Sequence, residues 1–167
     1  MRMLRAIPVA LMVFVVYIVF SGSTSIYDIF TGSVVAIVVG ILTANLVVHN
    51  YRKALNPIRL LWLAIYAVIY FFYCEVQAHI DVIKRILHPR MPVNPGIVRI
   101  PYDVETDYGI MLIANSITNT PGTVVVDVDK QRKILYVHWI DVKTTNPDEA
   151  RAKVSALFEK FAKKVFE

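Results

Sequence analysis

The sequence predicts a membrane α-helical N-terminal region, two transmembrane helices plus a long amphipathic or third membrane helix, followed by a small α/β domain of order β-α-β-β-α. Three observations predict it. The 167-residue chain is 56% hydrophobic and only 19% charged, more apolar and less charged than an ordinary soluble domain. Charge is also unevenly spread: the 88 residues before Pro89 hold 7 Lys and Arg and 3 Asp and Glu, against 11 and 10 in the last 79. Finally, long apolar runs give way after Pro89 to short β-branched runs separated by turn residues.

The first apolar run, about 4–20, follows Arg2 and Arg5 and has the outline of a signal peptide. Only Ser21-Gly22-Ser23-Thr24-Ser25 separates it from a second apolar run, however, so the pair reads as a helical hairpin retained in the bilayer. The second run, 26–48, has Asp28 as its only charge, and its 23 residues would extend about 34 Å as a helix, enough to cross the hydrocarbon. Gly32, Ala36, Gly40 and Ala44 recur at every fourth position. They leave one face nearly flat, so another helix backbone can approach closely, and these four are the candidate helix-packing contacts. Asp28 reads as a helix-start residue that favours the positive end of the dipole.

The third run, 58–87, has no internal Pro or Gly and predicts one long helix. Trp62, Tyr66, Tyr70, Tyr73, Gln77, Asp81 and Lys84 recur at spacings of four, four, three, four, four and three, one polar and aromatic stripe on an otherwise aliphatic helix. Lys and Arg collect in cytoplasmic loops. Arg2 and Arg5, then Arg52, Lys53 and Arg59, then Lys84, Arg85 and Arg90 all fall inside if two helices span and the third lies along the cytoplasmic surface. A three-span arrangement with the N-terminus outside is the alternative. The pairs Glu75/His79 and Asp81/Arg85, four apart, read as structural.

After a Pro-rich linker, 89–96, the tail domain spans 97–167 and is expected to be cytoplasmic. A strand at Ile97–Tyr102, a helix over Thr106–Ile117, a Thr120-Pro121-Gly122 turn and a hairpin of Thr123–Val128 with Ile134–Val142 are predicted in turn. The last helix opens with Asn146 as N-cap, Pro147 at the first position and Glu149 completing a capping-box pattern. Ala150, Val154, Leu157, Phe161 and Val165 form its apolar stripe.

Composition and motifs argue against most chemistries. The tail interleaves both signs of charge, which does not suit nucleic acid. Cys74 is the only cysteine, and His49, His79, His88 and His138 are scattered without metal-ligand spacing. No phosphate-binding glycine loop or nucleophile elbow occurs, and Ser116, Thr118, Thr120 and Thr123 read as helix-end and turn hydroxyls. No catalytic residue, metal, cofactor or small-molecule substrate is expected.

The run Ile113-Ala114-Asn115-Ser116-Ile117-Thr118-Asn119-Thr120-Pro121-Gly122-Thr123, with Pro95-Gly96-Ile97 before it and Leu135-Tyr136-Val137-His138 after it, resembles the signature of the E subunit of multi-subunit Mrp/Mnh-type sodium/proton antiporters. The resemblance covers almost the whole chain, and its Ala-Asn…Ile-Thr…Thr-Pro-Gly-Thr pattern is specific. Asn119 stands where that family typically has an apolar residue. The resemblance implies an accessory subunit of a cation/proton antiporter, or of the antiporter module of a membrane-bound hydrogenase-type respiratory complex, in the cell membrane among other antiporter-type subunits. It also marks Asn115, Thr118, Thr120, Pro121 and Gly122 as the turn that fixes the tail domain. A stand-alone, membrane-anchored binding domain that recruits a soluble partner is the competing expectation.

Overall fold

The computed structural model describes residues 2–48 and 50–167; Met1, His49 and the Arg2 side chain lie outside the described residues. The chain divides into two compact units, Met1–Leu60 and Leu61–Glu167.

The first unit holds α1 (Arg2–Ser21), α2 (Ile26–Val47) and a single helical turn, Tyr51–Ala54. Ser25 caps α2: its hydroxyl oxygen accepts from the Asp28 N–H at 3.2 Å. The Asp28 carboxylate accepts in turn from the Ser23 and Ser25 hydroxyls at 2.6 Å each, which satisfies polar groups where the helix begins. Asn50 caps the single turn by accepting from the Arg52 and Lys53 N–H groups at 3.1 and 3.3 Å.

A 31-residue helix follows, α3 (Pro57–Leu87), and α1, α2 and α3 are each long and apolar enough to cross a membrane. From Leu61 onward α3 belongs to the second unit. Its middle, Tyr70–Glu75, is π-helical and so carries one more residue in the turn than an α-helix would. The consequence is a change of register. Trp62, Tyr66 and Tyr70, the first part of the stripe, face the tail domain, but beyond the π turn the covered positions are Cys74, Ala78, Val82 and Arg85, while Tyr73, Gln77, Asp81 and Lys84 are exposed. A strict helical period cannot anticipate that shift by one.

The tail domain is a three-stranded antiparallel sheet, β1 (Gly96–Pro101), β2 (Thr123–Asp129) and β3 (Ile134–Trp139), in the order β1-β3-β2. Val98, Val137 and Val125 lie opposite one another, as do Ile100, Leu135 and Val128, with a bulge between Val125 and Asp127. Period-two alternation turns Val98, Ile100, Leu135 and Val137 inward. They meet Ile110, Ile113 and Ile117 of α4 (Asp107–Asn119), spaced three and four apart on one helical face. Thr106 caps α4, its hydroxyl oxygen accepting from the Gly109 N–H at 3.1 Å.

The last helix is two helices, α5 (Pro147–Val154) and α6 (Ala156–Phe166), rather than one. Ser155 interrupts them at φ −122° with its hydroxyl donating back to the Arg151 carbonyl, the competition with helical bonding to which serine is prone. Of the expected stripe, Ala150, Phe161 and Val165 are buried and Val154 and Leu157 half-buried; the break brings Phe158 and Ala162 into the core beside them. Asn146 caps α5 by accepting from the Asp148 and Glu149 N–H groups, but Glu149 does not reach back to Asn146. Thr144 stands between, donating to Glu149 at 2.6 Å and accepting from the Asn146 N–H at 3.2 Å.

Gly122 turns the chain from α4 into β2 at φ +98°, where a Cβ would also sit 3.1 Å from Ile140 Cγ2. Gly122→Ala is expected to cost about 1–2 kcal/mol through the left-handed conformation. A thermal melt of the full chain in detergent should record a midpoint several degrees lower.

Candidate functional site

In the first unit, Gly32, Ala36, Gly40 and Ala44 are the buried residues of α2 and line its seam with α1. The approach is close enough to be backbone-limited: a Cβ on Gly40 would lie 3.0 Å from the Ala6 carbonyl oxygen and 3.1 Å from Ala10 Cβ. At Gly32 it would strike the Tyr17 ring, 2.6 Å from Cδ1. The matching surface on α1 is therefore Ala6, Ala10 and Tyr17. Sequence reasoning missed it, although Ala6 and Ala10, four apart, were a signal.

In the second unit, Thr118, Thr120, Pro121 and Gly122 sit where α4 ends and β2 begins. Thr120 Oγ1 donates to the carbonyls of Ser116 and Ile117 at 3.1 and 2.9 Å, and Thr123 Oγ1 donates to that of Ile117 at 2.7 Å. The Ser116 carbonyl also takes the capping Thr120 N–H at 3.3 Å, and the hydroxyls supply the Ile117 carbonyl at the helix end. Thr118 Oγ1 accepts from the Val125 N–H at 3.2 Å and so ties the helix end to the sheet, while the Gly122 carbonyl accepts from the Ile140 N–H at 2.8 Å. Asn115 is exposed and lines one side of α4 together with Thr118 and Asn119.

That side of α4 faces α3. The Ser116 and Tyr66 hydroxyls are hydrogen-bonded, and Asn119 Nδ2 donates to the Tyr70 hydroxyl at 3.0 Å, which in turn donates to Glu75. Asn119 thus reaches a polar cluster on the π turn. An open groove of about 530 Å³ runs here, lined by Tyr66, Tyr70, Met111, Asn115, Asn119 and Phe166 among others. It offers aromatic and amide surface. Among the described residues, no three His, Cys, Asp or Glu side chains gather as metal ligands.

Two further contacts fasten α3 to the tail. Phe161 of α6 meets Trp62 and Tyr66 with ring centroids 6.2 and 5.4 Å away, and Lys164 Nζ lies 3.4 Å from the Trp62 ring centre. At the other end, Arg85 donates from Nη1 to Asp141 at 2.5 Å and to the Pro92 carbonyl at 2.9 Å, and it grips Asp81 through Nε and Nη2. Asp81–Arg85 was legible as a helical pair. The link to Asp141 was not, because the two residues are far apart in sequence.

The Lys143 ammonium, and after it the Arg85 guanidinium, hold the Asp141 carboxyl below the ordinary carboxylate range against the opposing effect of burial. A depressed folded value means the contribution is complete above about pH 4 and is lost as pH falls further. The urea midpoint of the full chain is expected to drop below about pH 4, and Asp141→Asn should shrink that drop.

Comparison with known proteins is consistent with this architecture. Residues 10–165 match the family model described as Na+/H+ ion antiporter subunit, MNHE. The chain is 34% identical over 132 residues to the E-type Na(+)/H(+) antiporter subunit of Alkalihalophilus pseudofirmus, covering 79% of this chain and 80% of that one. It is 36% identical over 115 residues to the E1-type Na(+)/H(+) antiporter subunit of Staphylococcus haemolyticus, covering 66% and 71%. Among solved structures, it superposes with a TM-score of 0.83 and 31% identity on a chain of the membrane-bound sulfane sulfur reductase, an archaeal respiratory membrane complex, over 97% of this chain and 99% of that one. With nearly its whole length matched, this membrane protein belongs to the family of E-type Na+/H+ antiporter subunits.

Proposed function

We propose that the chain is an accessory, non-catalytic subunit of a multi-subunit cation (Na+)/proton antiporter, or of the antiporter module of a membrane-bound hydrogenase-like respiratory complex. The observation that carries this reading is the family match over residues 10–165, which takes in both the apolar hairpin and the tail domain. The residues suit support of an assembly. A backbone-limited helix seam and a turn of hydroxyl-capped carbonyls fix shape. Cation and proton movement belongs to larger neighbours.

In this reading residues 1–88 form the membrane helices, 89–96 a linker and 97–167 a domain on the cytoplasmic side of the cell membrane. Two helices span. The third lies along the cytoplasmic surface, since basic residues at both of its ends then fall inside and its inner face carries a polar domain. The partners are other antiporter-type subunits and the bilayer. The Gly32, Ala36, Gly40 and Ala44 seam and the Asn115 to Gly122 turn are the contacts on which assembly depends.

Native electrophoresis of a tagged, gently solubilised chain tests the proposal. A band far above the 19.0 kDa of the chain, containing other antiporter-type subunits, is expected. A monodisperse monomer that binds a soluble partner through its tail would overturn it in favour of a stand-alone anchored domain.

A further inference from the structure

We propose that the outer face of α3 is a docking surface for anionic phospholipid, so that the helix lies within the headgroup layer and holds the tail domain down on the membrane. The inference deepens the surface placement of α3 proposed above and rests on it.

Opposite the residues that pack on the tail domain, Val68, Phe72, Val76, Ile80, Ile83 and Leu87 are spaced four, four, four, three and four apart, and all are between 46% and 77% exposed. This unbroken apolar stripe extends about 29 Å, far more than isolated surface hydrophobics would produce. The other face is occupied by polar structure: the Tyr70–Glu75–Asn119 cluster midway and the Arg85–Asp141–Lys143 network at the end. A helix fastened to charged groups along one side cannot be surrounded by hydrocarbon. One that is apolar along the opposite side is badly placed in water. The headgroup boundary meets both demands, with the apolar stripe sunk about 5–10 Å.

Charge selects the lipid. Lys84 is exposed at the edge of the stripe, and His88 and Arg90 are exposed just beyond its end. The turn that presents them is held in place: the Arg90 N–H donates to His88 Nδ1 at 3.1 Å, and Arg85 binds the Pro92 carbonyl. The Lys84 and Arg90 charges at the rim of an apolar face match lipid phosphates, and each adds roughly fivefold to partition onto an anionic surface.

The test uses the full chain in a Cys74→Ser background, with single spin-labelled cysteines at Ile80, Ile83 or Gln77, reconstituted in phosphatidylcholine vesicles with or without phosphatidylglycerol. Labels at Ile80 and Ile83 should be more accessible to oxygen than to a water-soluble nickel complex, with Gln77 the reverse. Adding phosphatidylglycerol should deepen Ile80 and Ile83, and Lys84→Gln with Arg90→Gln should reverse that gain by about tenfold or more in partition. Nickel access at all three sites, or equal depth in both vesicle types, would overturn the proposal. So would labels near Arg59 and Arg90 that react from opposite faces of the bilayer. Repeating the labelling in the natively purified complex separates this proposal from the accessory-subunit reading. If Ile80 and Ile83 exclude both reagents there, a neighbouring protein covers the face; lipid docking is then overturned while the accessory-subunit reading stands.

Discussion

Gly40→Leu is expected to strip most of the chain from its complex and to lower its steady-state level in the membrane. The reason is that nothing at the seam can yield cheaply. A Cβ at Gly40 meets the Ala6 carbonyl oxygen at 3.0 Å and the Ala10 nitrogen at 3.3 Å, backbone atoms that cannot rotate aside. Leucine adds three further carbons in the same direction, so α1 and α2 must separate and lose contacts along the seam. In lipid, packing of this kind is a main attraction between helices, because the hydrocarbon competes equally for apolar surface. Overpacking of about 1–3 kcal/mol follows. Val38→Leu, at a half-exposed position of α2, should leave level and assembly unchanged and serves as the control. Immunoblots of membranes and of the native band read both quantities.

The second large effect is expected at Phe161. Its ring is 5% exposed and packs against Trp62 and Tyr66, so one side chain joins α6 to α3. Phe161→Ala should cost about 3–5 kcal/mol, the range for emptying an aromatic site in a well-packed core. Phe161→Leu, which keeps most of the volume, should cost about 1.5 kcal/mol or less. Urea unfolding followed by Trp62 and Trp139 fluorescence would rank the two. The tail domain has only a thin core of its own, so losing this contact should also expose the linker at 89–96 to protease.

Much of this was legible in the sequence for identifiable reasons. Uninterrupted apolar runs fix helix length, and Thr106 and Asn146 announced helix starts that the structure caps at those residues, whereas Asp28 marked the start of α2 and the cap itself is Ser25. The strands showed themselves by β-branched runs around the 129–133 hairpin tip. What stayed hidden depends on tertiary context. The π turn at Tyr70–Glu75 has no composition of its own, yet it moves the covered face from Tyr73 and Gln77 to Cys74 and Ala78. The break at Ser155 reflects a hydroxyl choosing a backbone carbonyl, a competition that periodicity does not record. At the candidate site, the α2 stripe was readable because small residues at every fourth position form a pattern on one helix. Its counterpart on α1, and the pairing of Arg85 with Asp141, join residues distant in sequence and required the fold.

The central claim is that this chain supports the assembly rather than performing its chemistry. Cation-dependent proton movement in everted membrane vesicles, divided by the amount of assembled complex on a native gel, measures it most directly. For Gly40→Leu, Phe161→Ala and the Ser116, Thr118 and Thr120 triple alanine variant, assembled complex should fall while activity per complex stays at the wild-type value. A fully assembled complex whose activity per complex has collapsed in the triple variant would contradict the account.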